Sequence, residues 1–275
     1  MIAAAISLAL ALVCILAVPP LLSRATWTVH RPKLALALWF AAFFTGCALI
    51  LNALFALVLP SLDTANISTV SESLIVTAAA WGSLAIIGGV IAIVAQVDEP
   101  LQHAQDRERI ALADAALNLE KRPGFTLVLV ASDSLFACSV PGRSAQIMYS
   151  TALEALLSPP ELQAVVAHEY AHLRGSHPRL MRVASVAARL LPRWLPAGRE
   201  FKRATALLIE LIADDTAGKQ AGAANLANAL VKMGDATGDA SLEARAIRLT
   251  LRVWPLGRKR HLPEPIRLRQ SANPS

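Results

Sequence analysis

The chain has 275 residues, 55% of them apolar, with a mean hydropathy of +0.49 and a formal charge of +6. That apolar share exceeds the roughly 45–50% of ordinary soluble domains and points to a membrane. The three cysteines make neither a disulfide framework nor a C-x-x-C metal pair, and the basic residues do not interleave with aromatics as a nucleic-acid surface would require. No nucleic-acid partner is therefore expected, and the lipid bilayer is the partner that the positive charge fits.

Composition divides the chain near residue 97. The first apolar run extends from Ile2 to Leu22 and is broken by Pro19-Pro20. No Lys or Arg precedes it, which favours a retained helix over a signal peptide. Two further uncharged runs, about 34–59 and 74–97, are long enough to cross roughly 30 Å of hydrocarbon. Three spans are expected. The first loop carries Arg24, His30, Arg31 and Lys33, whereas the charges of the second are Asp63 and Glu72. Basic loops stay in the cytoplasm. The expectation is an integral protein of a bacterial-type plasma membrane, N-terminus outside, with residues 98–254 forming a cytoplasmic catalytic domain. The proline- and arginine-rich tail, 255–275, lacks an apolar period and reads as disordered.

Within the second part, 98–119 reads as a charged helix closed by Arg122-Pro123-Gly124. Phe125 to Val130 has the β-branched content of a buried strand, and segments around 136–138 and 146–149 supply two more. The fold class is thus mainly α with a small β-sheet. Ser158-Pro159-Pro160-Glu161 is a helix start with a capping box, and Gly175 offers the stop. A helix from His177 to about Leu191 comes with Arg179, Arg182, Arg189 and Arg193 among apolar residues. That pattern serves equally a core helix with a solvated face and a helix lying at the membrane surface. Helices are also expected over 201–218, 223–233 and 241–251.

The chemistry concentrates in His168-Glu169-Tyr170-Ala171-His172, inside the capped helix. Histidines four apart share one helix face and can reach one zinc ion. Glu169 points roughly 100° around the helix, so it misses the metal yet reaches a water on it as general base. A hydrolytic zinc needs a third protein ligand. Glu210 lies in an apolar stretch where a carboxylate is costly unless a cation meets it, and Asp214, one turn on, could hold the Nδ1 proton of a liganding histidine. The alternative pairs these two acids with Arg203 or Lys219 on a helix surface. His177 lies too far around a continuing helix to join His172.

His168-Glu169-x-x-His172 followed after 38 residues by Glu210-x-x-x-Asp214 resembles the integral-membrane zinc metallopeptidases of the BlaR/MecR antirepressor type and their HtpX/Ste-type relatives, over roughly Phe125 to Met233. The resemblance implies a gluzincin-like zinc peptidase domain behind the membrane helices. It also implies one zinc per chain on His168, His172 and Glu210, with Glu169 as base and Asp214 supporting a histidine. The antibiotic-sensing domain of BlaR-type receptors has no counterpart here, so β-lactam sensing is not implied. The expected function is endopeptidase cleavage of cytoplasmic or membrane proteins, as regulated removal of a repressor or as quality control. A zinc-stabilised scaffold that does not cut is the alternative. A protein or peptide substrate would add to an edge strand, expected at Gln146, Ile147, Met148, Tyr149 and Ser150.

Overall fold

The computed structural model describes residues 2–62, 77–78, 81–82, 116–142, 144–192 and 194–254. Most of the expected third span, residues 98–115 of the charged helix and the tail from 255 lie outside the described residues. The chain forms two compact units, one joining the N-terminal helices to Met181–Leu208, the other holding the sheet, the segment to Leu180, and the chain from Ile209 onward. The contacts thus group 181–208 with the apolar helices, where a single cut near residue 97 placed it with the peptidase domain.

In the first unit α1 (Ile2–Leu16), α2 (Val18–Arg24), α3 (Trp27–His30) and α4 (Pro32–Leu62) follow one another. Pro19 and Pro20 open α2 where a missing amide proton costs nothing. Ala4–Arg24 and Pro32–Ala56 are each long and apolar enough to cross a membrane by length and composition. Asn52 Nδ2 donates to Ser7 Oγ at 2.8 Å, a polar tie between α4 and α1 of the kind that holds helices together in lipid.

The second unit is built on four strands, β1 (Ala116–Arg122), β2 (Phe125–Val130), β3 (Ala137–Val140) and β4 (Gln146–Ser150), in the order β1-β2-β4-β3. β1 corrects the expected helix, whose last residues are instead extended and paired antiparallel to β2. β2 and β4 run parallel in the middle of the sheet, and β3 pairs antiparallel with β4 at the outer edge. Alternation then sorts the side chains. Phe125, Leu127, Ile147 and Tyr149 face Leu162, Val165 and Val166 of the metal-motif helix, while Val128, Val130 and Met148 fill the other face.

The remaining helices are α5 (Thr151–Leu156), α6 (Pro159–Arg174), α7 (His177–Leu190), α8 (Pro196–Ala217), a π segment (Gly218–Gly222), α9 (Ala223–Thr237) and α10 (Ala240–Leu251). The architecture is the expected mainly helical fold with a small sheet. α6 carries its capping box, the Ser158 amide donating to Glu161 Oε2 at 2.8 Å. Trp254 caps the far end of α10. Its Nε1 donates to the Leu249 carbonyl at 2.9 Å, and its ring lies against Gly218, where a Cβ would come within 2.8 Å of it.

Burial alone would raise the Glu161 carboxyl, but Lys232, 2.7 Å away, and Ser158 together hold it below the usual 4.5. A carboxyl lowered on folding stabilises the fold above its ordinary pKa and loses that contribution as the pH falls through the lowered value. Lys232→Met should therefore cost about 1 kcal/mol at pH 7, and the cost should vanish well below pH 4.5. Thermal unfolding in detergent at the two pH values checks this; an unchanged gap in acid would reject the pairing as its cause.

Candidate metal centre

α6 presents His168 and His172 on one face, as their spacing requires, and α8 brings Glu210 to meet them. The three donor atoms all lie within 4.8 Å of one another. His168 Nε2 is 3.0 Å from His172 Nε2 and 3.3 Å from Glu210 Oε2, and His172 Nε2 is 3.5 Å from Glu210 Oε1. Glu210 is the most open of the three, with 35% of its side chain exposed against 9% and 12% for the histidines. Two imidazole nitrogens and one carboxylate, one side facing solvent, are a donor set that suits a catalytic zinc with one open position.

Asp214, fully buried, places Oδ1 3.0 Å from His168 Nδ1, so it sits on the outer nitrogen of that imidazole. The cation beside both acids is neither Arg203 nor Lys219. It is Arg245 of α10, which the sequence reading missed. Its Nε and Nη2 grip Asp214 at 2.9 and 2.7 Å, Nη1 lies 3.0 Å from Glu210 Oε2, and Nη2 lies 3.4 Å from His168 Nε2. One signal was available. The adjacent acids Asp214-Asp215 on α8 are matched by arginines three apart on α10, Arg245 and Arg248.

Asp215, the neighbouring acid, faces away from the donors. It is buried at 7% exposure and ion-paired to Arg248 and Arg252, so it fastens α10 to α8 one turn beyond Arg245. The two adjacent acids are separated by geometry, one facing the donors and the other the helix tie.

The electrostatics follow from this packing. Burial opposes charge on His168, yet Asp214 and Glu210 raise its pKa to about 9. Burial and the neighbouring His168 push His172 down to about 4, leaving a neutral imidazole. Burial alone would raise Glu210 and Asp214, but His168 and Arg245 pull both down to about 2. Two ionised carboxylates thus surround the imidazoles, met in this structure by the Arg245 guanidinium and the His168 imidazole. Glu169 lies beside the donors and accepts a hydrogen bond from Ser139 of β3, while burial pushes its carboxyl above the usual range.

His177 is also corrected. The helix does not continue: α6 ends at Arg174, Ser176 takes a positive φ of 51°, and the chain turns back so that His177 Nδ1 lies 3.0 Å from His172 Nδ1. Gly175 is required for this, since a Cβ there would strike the His177 ring. If His172 Nε2 is to face a cation, its proton sits on Nδ1 and His177 Nδ1 accepts it. His177→Ala should weaken zinc binding by about 10- to 100-fold, measured by competition with a chromogenic chelator. Unchanged affinity would leave His177 a packing residue only.

The expected substrate edge is corrected too. β4, Gln146, Ile147, Met148, Tyr149 and Ser150, is paired on both sides, with β2 and with β3, and offers no free backbone edge. Among the described residues the sheet's edges are β1 and β3, and β3 is the strand whose Ser139 touches Glu169.

Residues 100–212 match peptidase family M48, which supports a metallopeptidase and, with the His168, His172 and Glu210 cluster, zinc as its metal. The matched stretch covers the two histidines, Glu169 and Glu210 and stops short of Asp214 and Arg245. No curated protein and no solved structure matches the chain.

Proposed function

We propose that the chain is a membrane-embedded zinc metalloendopeptidase cutting cytoplasmic or membrane proteins. The observation that carries this reading is the convergence of His168, His172 and Glu210, from two helices, beside a half-buried Glu169. His168, His172 and Glu210 would hold the zinc, with Asp214 and His177 orienting the two imidazoles from behind. When bound, the zinc supplies Lewis acidity that polarises the scissile carbonyl and acidifies a water toward a pKa of about 7. Glu169 takes a proton from the attacking water and returns it to the leaving amine nitrogen. A substrate segment adding to the edge of β3 would lie alongside Glu169, and Ser139 steadies the carboxylate there.

The paired motifs support the BlaR/MecR-like reading, in which cleavage removes a repressor, and equally a quality-control role. The basic loop 24–33 supports an orientation with the N-terminus outside and the peptidase domain in the cytoplasm of a bacterial-type cell. The test uses full-length protein purified in detergent. One zinc per chain and cleavage of unfolded protein substrate, lost with a chelator and restored by zinc, are the expected results. One zinc with no cleavage of any substrate would favour the non-cutting scaffold instead.

A further inference from the structure

Met181–Leu208 belongs by its contacts with the apolar helices, and the metal centre does not account for it. We propose that the hairpin of α7 and α8 is an interfacial anchor. In this reading its tip, around the exposed Trp194, seats in a phospholipid bilayer at the headgroup–acyl boundary, with flanking basic side chains on the lipid phosphates. The inference rests on the reading of α1 and α4 as membrane spans and adds to it a third, non-spanning contact.

The hairpin is mounted rigidly on α4. Phe201 is 3% exposed and sits among Trp39, Phe40 and Phe43, with ring centroids 5.9, 5.0 and 5.2 Å away. Leu191 and Ala197 close an apolar crevice with Cys14, Ile15 and Phe43. A Cβ on Gly198 would lie 2.9 Å from Ala188 Cα, so α7 and α8 meet almost backbone to backbone. On this stiff base Trp194 is nonetheless 81% exposed. A large amphipathic ring held away from the protein has the preference of an interfacial tryptophan, apolar body in the acyl region and N–H among the headgroups.

The depth agrees. α4 has 31 residues, about ten more than the roughly 20 needed to cross the hydrocarbon. A span formed by its last roughly twenty residues would leave the first turns of α4 at the interface, with Trp39 and Phe40 near the boundary. Phe201 and the crevice set the hairpin at that level. Charge agrees as well. Residues 181–208 hold six basic side chains and one acid, and so carry most of the chain's formal +6. Arg189, Lys202 and Arg203 are exposed around the apolar tip, the arrangement of an interfacial amphipathic element.

The test uses full-length protein with Cys14, Cys47 and Cys138 replaced by serine. A single cysteine at Trp194→Cys, or at Phe55→Cys on α4 as the span control, is labelled with NBD. The protein is reconstituted into vesicles of phosphatidylcholine and phosphatidylglycerol. NBD at both positions should emit blue-shifted and be quenched by nitroxide lipids, position 194 more by a shallow nitroxide and position 55 more by a deep one. Quenching at 55 with water-like emission at 194 overturns the anchor while leaving the spans intact. A blue shift at 194 without lipid quenching means that protein, such as a second copy of the chain, covers the tip, and it overturns the anchor too. Water-like emission at both positions removes the membrane reading and the anchor with it.

Discussion

Glu169→Gln should leave one zinc per chain in place and lower peptide cleavage by about 10²- to 10⁴-fold, the usual contribution of a positioned acid–base group. Glutamine fills the same volume and can still meet Ser139, so the surroundings of His168 and His172 should persist. What disappears is a site that can accept a proton. Burial already lifts the Glu169 carboxyl above the ordinary range, toward the pH at which a base can both take a proton from water and return it to an amine. The loss should therefore fall on kcat with KM little changed. Metal analysis together with steady-state kinetics on a chromogenic peptide decides it. A variant that keeps its zinc and more than a tenth of its rate would assign the base elsewhere.

Arg245→Ala should be the most destabilising single change at the centre, costing about 3–5 kcal/mol in the metal-free protein. Its guanidinium makes two short bonds to Asp214, whose side chain has no solvent contact at all. Removing it strands a buried carboxylate with His168 as its remaining neighbour. Lysine should rescue poorly, because an ammonium cannot reproduce the fork that holds both oxygens. Asp214→Asn combined with Arg245→Met should cost less than Arg245→Ala alone, since no charge is then left unpaired. Asp215→Asn should also destabilise, by loosening Arg248 and Arg252, while metal affinity follows Asp214. Unfolding and zinc titration on these four variants and on Asp214→Asn alone separate these effects. Equal metal affinity in the Asp214 and Asp215 variants would contradict the geometry.

Much of the centre was legible because one helix carries half of it. The spacing of His168 and His172 follows from helix periodicity, and an acid set in sequence among Leu207, Leu208, Leu211 and Ile212 advertised a positive partner for Glu210. Arg245 was hidden by its own helix. Arg245, Arg248 and Arg252 recur at three- and four-residue spacing, which reads as a solvated stripe until the acids of another helix are known to face it. β1 was hidden by propensity, since alanine, leucine, glutamate, lysine and arginine favour helix, and an edge strand exposes enough of itself to lack a buried face. The position of β4 depended on strand order. Its five residues look the same to a sequence reader at an edge or in the middle, and the parallel pairing with β2 is a long-range choice.

The tie between α8 and α10 also orders events in time. Ribosomes deliver Glu210 and Asp214 well before Arg245, which follows Glu210 by 35 residues. At roughly 5–20 residues per second that interval is about 2–7 s. Throughout it the nascent chain holds both acids with only the His168 imidazole to meet them, so the packing of their helix against α6 lacks its guanidinium tie. On the proposed function, the centre is complete only once α10, the last helix among the described residues, has been made.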